Sequence, residues 1–114
     1  MRWLLLALVA VAASCGSEAP ARHESTQVPS CTTLVSELRR ARTVPRVAAT
    51  ARKLRDHYGV DPGTAAQGYA AVVRVRLAAR RAIADGRPTA ARRLFASARL
   101  VELRADALSA DLCP

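Results

Sequence analysis

Thiols and guanidinium groups are the side chains through which this chain can do chemistry. It has three cysteines, Cys15, Cys31 and Cys113, and an odd number leaves one thiol over once any pair has bonded. Their positions relative to His23 and His57 match no Cys/His metal spacing. No H-E-x-x-H, G-x-S-x-G or glycine-rich phosphate loop occurs, and neither histidine stands where a Ser/His/Asp or Cys/His arrangement would need it. The chain is therefore expected not to be an enzyme, with no catalytic residue, no cofactor and no metal.

Basic residues number 18 against nine acidic ones, a net charge of +9, and Lys53 is the single lysine. Arginine offers a planar, bidentate fork suited to phosphate and carboxylate. Arg76 and Arg80 fall on one helical strip with Tyr69, flanked by apolar residues. A buried guanidinium is costly unless paired, so they either snorkel to water or meet carboxylates such as Glu102. If instead they line a groove, they are the candidate anion-binding residues. The plainer reading of the arginine excess, and the one preferred, is solvated helix surface.

The first fifteen residues, MRWLLLALVAVAASC, decide where the rest is delivered. Arg2 supplies a positive start, Trp3 to Val11 an apolar run, and Ala12, Ala13 and Ser14 lead into Cys15. The run falls short of the roughly 20 residues needed to cross a bilayer, so residues 1–14 read as an export signal. Ala13-Ser14-Cys15 resembles the lipobox of bacterial lipoproteins, with Ala12 where that family most often has Leu. The resemblance implies that Cys15 is diacylglycerylated on sulfur, becomes the new N-terminus and is acylated again. The membrane is then a partner through Cys15. Cleavage after Ala10-Val11-Ala12 is the alternative, and it would leave Cys15 a bare thiol. Gly16 is not the Asp that typically retains such proteins at the inner membrane, so the outer membrane, facing the periplasm, is the expected address in a two-membrane cell.

With Cys15 lipidated as the resemblance implies, Cys31 and Cys113 remain as an even pair in an oxidising compartment, where a disulfide persists. About one hundred residues then remain, enough for one small domain. Residues 15–29, rich in Ser, Pro, Ala and charge, read as a disordered tether with an r.m.s. span of roughly 20 Å. His23 lies there, solvated. Export makes nucleic acid the least suitable of the anions that such a charge could attract.

Residues 30–114 are expected to be all-α, a small antiparallel four-helix bundle. The first helix opens at Ser30 and runs to about Thr43, with Leu34, Val35, Leu38 and Ala41 on one face. Arg39, Arg40 and Arg42 at its end suit the helix dipole. The second runs from about Pro45 to Tyr58, with Val47, Ala51, Leu54 and Tyr58 as its buried stripe and Gly59 as cap. His57 lies off that stripe, at the surface. Asp61-Pro62 opens a third helix that ends near Asp85, and Gly86-Arg87-Pro88 turns into a fourth that ends near Leu112. The last two make a long hairpin, 62–112. An even number of helices returns Cys113 to the end where Cys31 starts, so one disulfide and this architecture support each other.

The fourth helix repeats Ala91, Leu94, Ala98, Val101, Ala105, Leu108 and Leu112 at heptad steps. The third offers Gly68, Ala71, Val75, Ala78 and Ala82, small enough for close approach. A second seam on the fourth helix, Ala96, Leu100, Leu103, Ala107 and Ala110, is either covered by the first two helices or docks on another envelope protein or a second copy. Leu100 and Leu103 carry that question. The expected function is a small lipid-anchored, non-catalytic helical interaction module. The alternative is an arginine-rich module that binds lipid phosphate or acidic surface polymer.

Overall fold

The computed structural model describes residues 27–114. The signal segment, Cys15, His23 and the tether as far as residue 26 lie outside the described residues. Within them the chain forms four helices and no strand: α1 (Cys31–Arg40), α2 (Val44–Tyr58), α3 (Gly63–Ala84) and α4 (Pro88–Ser109).

Local chemistry sets each boundary. Ser30 caps α1, its hydroxyl accepting the Thr33 N–H at 3.2 Å. The helix stops at Arg40 rather than Thr43, because Thr43 is extended and serves as the next N-cap. Its hydroxyl accepts the Arg46 N–H at 3.2 Å, and Pro45 occupies the first turn of α2, where its missing N–H costs nothing. Gly59, at φ 61°, ends α2 and lets the Val60 N–H reach back to the Leu54 carbonyl. The third helix begins one residue later than expected, with Pro62 in the cap position. Asp61 still does capping work, its Oδ1 accepting the Gly63 N–H at 3.0 Å. Gly86, at φ 74°, closes α3, and the Arg87 N–H bonds the Ala82 carbonyl at 2.8 Å. The fourth helix ends at Ser109, a turn short of Leu112.

Helices α3 and α4 pack along their length and fold back on each other at Gly86, so that Gly68 meets Ala105 and Arg76 meets Glu102. The α3 seam differs from the expected one. Ala78 is exposed, while Ala65, Val72, Ala79 and Ala82 are buried, with Gly68 and Val75 completing the alternating steps. Starting the repeat at Gly68 with a three-residue step put the expected phase out by one position. On α4, Ala91, Ala98 and Ala105 are buried as expected, but Leu108 is half exposed and Ser109 takes the inward place.

Helices α1 and α2 pack on one another and on the first half of α3. Leu34, Leu38, Val47, Ala51 and Leu54 meet Ala65, Tyr69, Ala70, Val73 and Ala105 in one core. Tyr58 departs from its expected burial: its ring is exposed and its hydroxyl donates to the Pro29 carbonyl. At 10 and 15 residues, α1 and α2 are shorter than the 22-residue helices they pack on. They leave the second α4 seam bare. Ala96, Leu100, Leu103, Ala107 and Ala110 are all exposed, so the expectation that α1 and α2 cover it is corrected. Cys31 and Cys113 are disulfide-bonded, with Cα atoms 5.9 Å apart, joining the start of α1 to the chain just beyond α4.

Candidate functional site

Two features outlast the demands of folding, an arginine-lined groove and the bare α4 seam. The groove is built by two elements. The last turn of α1 and the connector after it supply Arg39, Arg40 and Arg42, while α3 supplies Arg76 and Arg80. Arg76 and Arg80 are four residues apart on a helix and so share a face. Phe95 of α4 and Val73 add apolar wall, and the concavity is open, about 610 Å³.

The groove's electrostatics are unbalanced. Arg76 Nη2 meets Glu102 Oε2 at 2.7 Å, the partner expected from sequence, and Arg99 holds the other carboxylate oxygen at 2.8 Å. Arg39 Nε lies 3.2 Å from Asp106 Oδ1. Arg40, Arg42 and Arg80 form no ion pair among the described residues.

Beneath Arg39 lies a polar network that sequence reasoning missed. Tyr69, almost wholly buried, donates its hydroxyl to Asp106 Oδ1 at 2.6 Å and lies 3.1 Å from Ser109 Oγ, which itself donates to the Asp106 carbonyl. Burial, reinforced by the Asp106 carboxylate, pushes the Tyr69 hydroxyl up to about 12. Every buried side-chain polar atom among the described residues has a partner. The network ties the α1–α3–α4 junction together through Arg39, Tyr69, Asp106 and Ser109. A signal was present in the Tyr69 position on the inner face of α3, but its partners forty residues on are set by hairpin register.

The candidate residues fall into separate places. Arg76 and Arg80 are brought together with three arginines that had been read only as dipole partners. Leu100 and Leu103 are 68% and 48% exposed. Cys31 and Cys113 are consumed in their bond, Cys15 lies outside the described residues, and His57 is exposed. Among the described residues no cluster of His, Cys, Asp and Glu could hold a metal, and no helix is long and apolar enough to cross a membrane. The chain matches no protein-family model, no curated protein and no solved structure.

Proposed function

We propose that this chain is a small, exported, lipid-anchored envelope protein that works without catalysis, as a helical interaction module. In this reading residues 1–14 are removed on export, Cys15 carries the acyl chains, and residues 15–29 hold the domain off the outer membrane on its periplasmic side. The four helices act as one antiparallel bundle closed by the disulfide.

The observation that carries the docking role is the exposure of Leu100 and Leu103, 68% and 48%, at the centre of a heptad seam whose other members are small. The occupant that this seam suits best is a second copy of the chain. A two-fold pairing centred between the two leucines sets Leu100 of one copy against Leu103 of the other, and Ala96 against Ala107. It also brings Arg92, at the basic end of the seam, to Asp111, at its acidic end. The two arginines that would then approach each other are Arg99 and Arg104, and Arg99 is drawn toward Glu102, whose single charge it shares with Arg76. Anchoring at a membrane surface raises the effective concentration, which lets a short seam suffice.

In-cell photo-crosslinking from a probe at Leu100 tests the reading. A self-adduct that maps to residues 96–107 and disappears on Leu103→Glu is the expected result. A chain that stays monomeric at every surface density overturns self-docking. Labelled fatty acid retained by a Cys15→Ala variant overturns the anchor.

A further inference from the structure

We propose that the groove between the end of α1 and the middle of α3 binds a phosphate monoester or diphosphate group, with the organic part of the ligand resting against Phe95. None of its residues belongs to the Leu100–Leu103 seam, so the site stands independently of the docking role.

Two elements distant in sequence bring five guanidinium groups to one concavity, although like charges in water gain by standing apart. The dipole of α1 accounts for Arg39 and Arg40 near its C-terminus, but not for Arg76 and Arg80 in the middle of α3. Two of the five are already fixed: Arg39 by Asp106 at 3.2 Å and Arg76 by Glu102 at 2.7 Å. They brace the wall. Arg40, Arg42 and Arg80 are exposed and lack a carboxylate partner among the described residues.

The charge left over selects the ligand. One carboxylate would answer one of three arginines, whereas a dianionic phosphate monoester or a diphosphate answers two or three and presents oxygens that match the guanidinium fork. The apolar wall selects further. The Phe95 ring is 39% exposed beside the nearly buried Val73, which gives the non-phosphate part of an ester a surface to lie on. A lipid headgroup and a soluble phosphate ester share this chemistry.

The test uses residues 16–114 with the disulfide intact, which keeps the whole described fold and leaves no acyl chain to carry the protein onto a vesicle. Inorganic pyrophosphate is titrated calorimetrically, and flotation is measured with phosphatidylcholine vesicles containing phosphatidic acid. Pyrophosphate should bind, and the Arg42→Gln/Arg80→Gln double variant should weaken it about tenfold or more, because charge-assisted hydrogen bonds are lost. The charge-matched Arg52→Gln/Lys53→Gln variant, altered at exposed positions outside both the groove and the seam, should change affinity about twofold or less, since distant charges are screened. Flotation that pyrophosphate competes away identifies a lipid headgroup as the source, and pyrophosphate binding without flotation identifies a soluble ester; both support the site. Absence of binding to either probe, equal weakening by the two double variants, or flotation indifferent to pyrophosphate overturns it. Matched thermal melts keep the comparison free of folding defects.

Discussion

Gly68 and Ala105 approach so closely that a methyl group on Gly68 would stand 2.9 Å from the Ala105 Cβ, with the Ala105 Cα at 3.6 Å. Neither atom is the end of a flexible side chain, so nothing can swing aside. The spacing of α3 and α4 is set here by the absence of a side chain.

Gly68→Ala should therefore destabilise the fold even though alanine is the better helix former. Overpacking costs about 1–3 kcal/mol and the propensity gain returns about 1 kcal/mol. Thermal melts should show a lower midpoint, and Ala105→Gly added to Gly68→Ala should restore part of it. A single variant that melts higher than the parent would show that the helices separate freely.

Tyr69 makes stability depend on alkaline pH. Its hydroxyl sits at about 12 in the folded chain against about 10 when unfolded, so only the unfolded state releases that proton between the two. The contribution is complete below pH 10 and is lost as pH rises toward 12. Denaturant midpoints should fall over that window, and Tyr69→Phe should flatten the fall while costing about 1 kcal/mol at neutral pH.

The Cys31–Cys113 bond spans 82 residues of sequence. Chain-entropy reasoning assigns such a closure about 4.5 kcal/mol, a large share of a small domain's stability. Reduction, or Cys31→Ser with Cys113→Ser, should lower the melting midpoint sharply. An unchanged melt would mean that helix packing alone holds the termini together.

Leu100→Glu with Leu103→Glu should cost the monomer no more than about 1 kcal/mol, since Leu100 is mostly exposed and Leu103 about half so. Self-association, read by sedimentation at rising concentration, should disappear. A large drop in stability would instead reveal that the seam is needed for folding.

Much of the architecture was legible because it is local. Ser30, Gly59, Gly86 and Pro88 carry their own boundary chemistry, and Ala91, Ala98 and Ala105 recur every seven residues along the inward face of α4. What escaped is non-local. The Thr43 cap looked like helix because its residue type suits both roles. The phase of the α3 seam could not be read because Ala71, Ala78 and Ala79 are chemically alike, and only the partner helix distinguishes them. Coverage of Leu100 and Leu103 depended on where α1 and α2 lie, and they pack against the first half of α3 rather than over the second α4 seam. The arginine groove required α1 to lie across α3, information that neither segment holds alone.

The disulfide also decides how the molecule carries load. A pull on the chain ahead of Ser30 enters at Cys31 and passes through the covalent bond to Cys113, only a few residues from the end of α4. Traction between the N-terminal segment and the Leu100–Leu103 face then runs through sulfur and the last turns of one helix. It bypasses α1, α2 and α3, which stay mechanically slack. Force applied between the chain ahead of Ser30 and the end of α4 is thus met by a covalent bond before the packing of the helices is loaded.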